Sequence, residues 1–403
     1  MNRSRHQRKI CFVTASPMTV SAFLRPHILE LSSKYDVTVL TNLSGFSDNS
    51  FGLPRVTFRD LNIRRDISLL TDLLVITKLH HMFQLENYTA VVSVNPKAGL
   101  LASLSGALAG VPIRIHWFTG QVWANKTFPF RQVLKLIDRI ILTSTTSTLV
   151  DSFSQRDFLV RQKVGIAKNF RVLGNGSISG VDGGRFFPNS AKRKEMRSRL
   201  GIGDDVFLVV YLGRLNREKG VLDLASAFNS MGFSGESLIL FVGPDEDRMS
   251  DDIRARVQNV GRRALFVAHT EFAEDYLAAA DVMCLPSMRE GFGTSVIEAS
   301  AAGLPVIVSD IYGLRDSVLA GKTGIIFPHG DILALSQALD QLAHSPDLRA
   351  KLGKAGARFA LSRFSQKEIV TEFLAFIHAE VSKLDKMGRP SRGSLPNENN
   401  DFG

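Results

Sequence analysis

A chain of 403 residues is longer than one hydrophobic core supports and points to two domains. It is 44% hydrophobic and 22% charged, the balance of a folded globular protein, and its two cysteines exclude a disulfide scaffold. The net charge of +10 sits in one half: residues 1–185 hold 23 Lys+Arg against 11 Asp+Glu, the remainder 26 against 28. A basic half attracts nucleic acid or an anionic membrane surface, and charge alone selects neither.

The basic start, Met1 to Lys9, is followed by too short an apolar run for a signal peptide, so a cytoplasmic protein is expected. Short apolar runs then alternate with helical patterns, the signature of parallel sheets built from βαβ units. Strands are predicted at 10–13, 37–40, 56–58, 90–94, 113–117 and 140–143, with helices over 21–33 and 68–83. The uncharged stretch 98–113 carries Ser and Gly and fits a buried helix better than a membrane span. The segment 128–141 (FPFRQVLKLIDRII) reads as amphipathic, either a lipid-headgroup contact or an ordinary domain helix exposing Arg131, Lys135 and Arg139. Cys11 and Cys284 lie within strand-like runs, with no Cys or His at metal-ligand spacing, and read as buried thiols.

A Gly-rich segment, Gly174 to Gly184, followed by Arg185-Phe-Phe-Pro188, marks the passage between domains 1–180 and 187–363. In the second domain strands are predicted at 206–212, 238–242, 265–268, 282–286 and 305–309. Helices are predicted at 222–231, 249–260, 275–280, 295–302, 333–343 and 346–359. An amphipathic segment within 364–385 is expected to pack back on the first domain, and 386–403 lacks apolar periodicity and reads as a disordered tail. Two such open α/β domains face one another across a cleft, and ligands in these sheets bind beyond the carboxyl ends of the strands.

Two post-strand loops of the second domain carry chemistry. Arg289-Glu-Gly-Phe-Gly-Thr-Ser-Val-Ile-Glu298 makes a Gly-containing turn and then opens a helix. Backbone N–H groups at such a terminus suit a phosphate, and Gly291 and Gly293 admit a close ligand. One of the carboxylates Glu290 and Glu298 can then reach sugar hydroxyls and the other a ribose diol, although Ser295-Val-Ile-Glu298 alone also fits a capping box. In Gly213-Arg-Leu-Asn-Arg-Glu-Lys-Gly220, Arg214 and Lys219 leave one loop and can neutralise a diphosphate. Read alone, that loop is a charged surface turn in which Glu218 pairs with Arg217 or Lys219.

Taken together, Gly213-Arg214…Lys219-Gly220, Gly243 in LFVGP and Glu290…Glu298 resemble the retaining glycosyltransferases of the GT-B fold, family 4 type. Within that family the chain looks most like bacterial cell-surface polysaccharide transferases. The resemblance implies two Rossmann-like domains and a nucleotide-diphosphate sugar donor of UDP or GDP type, with no further cofactor and no metal. It implies that Glu290, Arg214 and Lys219 act at the donor sugar and diphosphate. Gly213, Gly243, Gly291, Phe292, Gly293, Thr294 and Glu298 line the donor site. The acceptor is a saccharide, or one carried on a polyprenyl diphosphate at the inner face of the membrane. Retention implies attack on the face the leaving group departs from.

On the acceptor side many relatives have a His-x-x-His-Gly loop, and here His116-Trp-Phe-Thr-Gly120 matches the first His and has Thr119 at the second. His116 is taken as a catalytic candidate, with a core histidine as the alternative, and Ser16, Thr119 and Gly120 as acceptor-side residues. A nucleotide-sugar epimerase on a similar scaffold and a silent donor-binding relative stay open as alternatives. No nucleic-acid module is recognisable, so nucleic acid is not an expected partner.

Overall fold

The computed structural model describes residues 8–45, 51–63, 68–259 and 261–387. Continuous runs of Val, Ile, Leu and Phe, too apolar to leave one face in water, form two all-parallel sheets with helices on both faces. The first sheet has the order β3-β2-β1-β4-β5-β6-β7. Its strands are β1 (Lys9–Thr14), β2 (Asp36–Thr41), β3 (Val56–Asp60), β4 (Ala90–Val94), β5 (Ile113–Phe118), β6 (Ser147–Val150) and β7 (Phe170–Val172). The second has the order β10-β9-β8-β11-β12-β13. It is built from β8 (Phe207–Leu212), β9 (Ser237–Val242), β10 (Arg262–Val267), β11 (Val282–Leu285), β12 (Val306–Ser309) and β13 (Gly324–Phe327). Both orders reverse beside the first strand, opening a crevice there. This is the GT-B arrangement of two Rossmann-like domains.

Four short stretches differ from the sequence expectation. Residues 140–143 are not a strand but the last turn of the Phe130–Ser144 helix, and the strand follows at β6. Ile141 continues the face that Leu134 and Ile137 already press into the core, so the apolar run was the helix's own stripe. β7 and β13 are three and four residues long, too short to show a period. The first helix begins at Pro17 and passes through a π-turn at Val20–Leu24 before Arg25–Ser32.

The Gln366–Met387 helix leaves the second domain and packs on the first. Phe373 lies 6.3 Å from Phe12, 4.9 Å from His27 and 5.3 Å from Trp117, ring centre to ring centre. The two chain crossings run side by side, with Val181 N donating to Phe364 O at 2.7 Å and Gln366 N to Val181 O at 3.0 Å. Most of the expected tail, from residue 388 onward, lies outside the described residues, as do residues 1–7 of the basic start. No helix among the described residues is long and apolar enough to cross a membrane.

Candidate active site

The post-strand loops of the second sheet converge where β8, β9 and β11 end. After β8, the Tyr211 hydroxyl donates to Arg214 O at 2.7 Å and fixes the turn. The Asn216 side chain accepts from Lys219 N at 3.2 Å, closing a short helical turn that sends Lys219 toward β11. Gly243, at the end of β9, adopts a φ of +143°, and a Cβ there would lie 2.0 Å from Gly213 O, so only glycine lets these two loops touch. Arg214 Nη1 donates to Glu246 Oε2 at 2.8 Å, which holds the guanidinium at the rim.

Lys219 Nζ meets Glu290 Oε1 at 2.5 Å, and Ser287 Oγ donates to the same oxygen at 2.7 Å. Two residues 71 apart in sequence are thus in contact, both largely shielded from water. Glu218 pairs with neither neighbour: Arg289 holds it at 2.7 Å, and Lys126 of the first domain approaches at 3.7 Å.

The helix that follows, Thr294–Ala301, has Gly293 as its N-cap, in the left-handed region at φ +77°, with no side chain capping it. Glu298 therefore lies one turn inside the helix and is not the partner in a capping box with Ser295. Burial pushes its carboxyl up to about 7, with Arg185 pulling it down and Glu274 raising it further. Phe292 turns inward against Phe364, 5.0 Å between ring centres.

Across the cleft, the β5 loop abuts the same turn. A Cβ on Gly291 would lie 2.5 Å from Asp151 Oδ2 and 2.7 Å from Thr119 O, and one on Gly120 would lie 3.0 Å from Gly291 N. Thr119 and Gly120 therefore face Glu290–Gly291 directly. Ser16 begins the first helix beyond β1, its carbonyl accepting from Thr19 N at 3.0 Å. His116 is elsewhere. It is fully buried in β5, its Nδ1 2.9 Å from Ser93 Oγ, its ring against Gly99, and burial pushes its pKa down to about 3. The core reading of His116 is the one the structure shows, because its strand position turns the ring under a helix and away from the strand's end.

Sequence reasoning missed the groups that join the domains. Gln121 N donates to the Tyr312 hydroxyl at 3.0 Å, and that hydroxyl donates to Gln121 Oε1 at 3.1 Å. Phe158 stacks on Tyr312 at 4.1 Å, and Asn125 Nδ2 donates to Met288 O at 3.1 Å. Each is unremarkable in its own segment and acquires meaning only from the opposing domain.

The geometry defines a two-domain cleft whose paired cations and carboxylates sit on one domain. Residues 192–359 match the model of the family described as Glycosyl transferases group 1. The chain is 29% identical over 315 residues to the Staphylococcus aureus capsular polysaccharide biosynthesis glycosyltransferase CapM, covering 77% of this chain and 82% of that protein. It is 26% identical over 357 residues to the Escherichia coli UDP-Gal:alpha-D-GlcNAc-diphosphoundecaprenol alpha-1,3-galactosyltransferase, covering 84% and 88%. Among solved structures, the sucrose-phosphate synthase of Thermosynechococcus elongatus superposes with a TM-score of 0.79 at 19% identity, over 94% of this chain and all of that one, and shares its fold.

Proposed function

We propose that the protein is a retaining, metal-independent glycosyltransferase that moves a sugar from a nucleoside-diphosphate donor to a saccharide or polyprenyl-diphosphate-linked acceptor in bacterial surface-polysaccharide synthesis. The observation that carries this reading is the Lys219–Glu290 contact beside the Gly291–Gly293 turn. Cleaving a sugar–diphosphate bond builds negative charge on the leaving oxygen and positive charge at the anomeric carbon. Lys219 and Arg214 offset the first, as a divalent metal would, aided by the Phe292 and Gly293 amides and by Thr294 at the helix start. Glu290, held next to Lys219, takes the sugar hydroxyls and places the anomeric carbon beside the neutralised phosphate. Glu298 takes the ribose diol. Gly213 and Gly243 let backbone approach the nucleotide. The acceptor enters past Ser16, Thr119 and Gly120 and attacks on the face that the diphosphate leaves, its proton passing to the departing phosphate.

The activity of the Escherichia coli relative supports a UDP rather than a GDP donor and a lipid-linked acceptor. The first domain also supports work at an anionic membrane surface. Its Phe130–Ser144 helix turns Phe130, Val133 and Leu136 outward while burying Lys135 and Asp138 beside Ile141. Lys135 lies over the Trp123 ring at 5.4 Å, and Trp123 Nε1 donates to Asp138 at 2.7 Å. Leu70, Leu73 and Leu74 expose apolar surface on a helix of the same face. Such a surface amid excess positive charge fits lipid headgroups.

The test is thermal stabilisation of EDTA-treated protein by a panel of nucleotides and nucleotide sugars. A selective rise with UDP compounds is expected. No rise with any of them, with acceptor lipid present and Mg²⁺ restored, would move the reading to a silent relative.

A further inference from the structure

Asp151 is the residue after β6, at the carboxyl end of the first sheet, and it is 2% exposed. Its backbone is fully engaged: N donates to Gln155 Oε1 at 2.6 Å, and O accepts from Ser177 N at 2.6 Å. Its carboxyl is not. Oδ1 has no hydrogen-bond partner, no cation pairs with it among the described residues, and Oδ2 lies against the backbone of Gly291, where a Cβ would approach to 2.5 Å. The Trp117 indole, buried beside it, is the one donor that acts on the carboxyl. A side chain of the acceptor domain is thus wedged beneath the turn that presents its amides to the donor.

An ionised carboxylate in that position would be buried without a counter-charge and would face the place where an anionic diphosphate binds, unfavourable on both counts. We propose that Asp151 is a positioning residue that works as an uncharged carboxylic acid, seating the Glu290–Gly293 turn against the first domain and leaving its amides free of a competing negative charge. Burial pushes its carboxyl up to about 8, opposed by the Trp117 indole beside it. The turn residue that touches it is Gly291, and among the described residues no charged group contributes to that shift. β5 faces it with Trp117, the helix after β6 with Gln155 and the β7 loop with Ser177, none of which titrates.

The kinetic consequence rests on the donor-site reading above; the stability consequence rests on geometry alone. Asp151→Asn keeps the shape and removes the charge, while Asp151→Ala removes both. The folded protein holds this proton up to about pH 8, whereas the unfolded chain releases it near pH 4, so wild type loses stability across that interval and Asp151→Asn does not. The melting temperature of Asp151→Asn should therefore gain on wild type steadily as pH rises from about 5 to 8. Other titrating groups cancel in that difference. In donor-saturation kinetics, wild-type KM for the nucleotide sugar should rise severalfold above pH 8 with kcat little changed, and Asp151→Asn should stay flat. Asp151→Ala should bind donor at least tenfold more weakly at every pH. A pH-independent melting difference, or an Asp151→Asn as impaired as Asp151→Ala, would overturn the proposal. If wild type transfers nothing from any donor, the glycosyltransferase reading fails, and the melting comparison still decides the state of Asp151.

Discussion

The residues proposed for the donor site lie within reach of one another but are held by unequal restraints. Lys219 and Glu290 shield each other, while Arg214 stays at the rim on Glu246. Replacing Lys219, Glu290 or Arg214 by Ala should lower transfer by about two orders of magnitude, consistent with removal of a transition-state charge contact. The melting temperatures should move little; near-normal turnover in all three would refute the site. Glu298 adds a pH dependence of the opposite sign to that of Asp151. Its carboxyl titrates at about 7, and only the ionised form accepts two hydroxyl hydrogens. Nucleotide affinity should strengthen as pH rises from 6 to 8 in wild type and stay level in Glu298→Gln, as calorimetric titration would show. The loops proposed to hold the donor could be singled out in the sequence because glycine and charge recur there at fixed spacing after apolar runs. Asp151 and Tyr312 were not, because a lone carboxylate or tyrosine gains significance only from what a distant segment lays against it.

Among the elements, long helices and buried strands could be read from periodicity, the amphipathic segment 128–141 included, while the end of that helix was taken for the strand that follows it at β6. The Phe130–Ser144 helix carries one apolar stripe that lies partly on the core and partly in solvent, and the last turn of that stripe imitates a strand. That same outward face predicts behaviour. Val133→Glu with Leu136→Glu should abolish sedimentation with vesicles rich in anionic lipid and leave turnover on a water-soluble acceptor within about twofold. Equal vesicle binding by the variant and wild type would discard this helix as the contact. Binding should also weaken with salt, since the charge contribution is screened over roughly 8 Å at physiological ionic strength.

At the scale of the whole molecule, the domains are joined in two ways: by polar contacts around Tyr312 and by a helix that one domain lends to the other. Phe373 is 1% exposed and touches three aromatic rings of the first domain. Phe373→Ala should cost about 3–5 kcal/mol in urea unfolding followed by Trp117 fluorescence, the range for a large aromatic removed from a core. A loss confined to the second domain would contradict the packing. The expectation that the final helix crosses back was drawn from its amphipathic pattern, which shows that a face must be buried but not where. This lent helix bears on how the chain is made. β7 is complete at Val172, yet the segment that covers one face of its sheet begins at Gln366. During synthesis the first domain leaves the ribosome with that face open and waits while the whole second domain is translated and folds on its own core. The order of birth is therefore the reverse of the order of completion, and a nascent chain stalled before Gln366 leaves uncovered the first-domain residues that Phe373, Phe376 and Ile377 pack against.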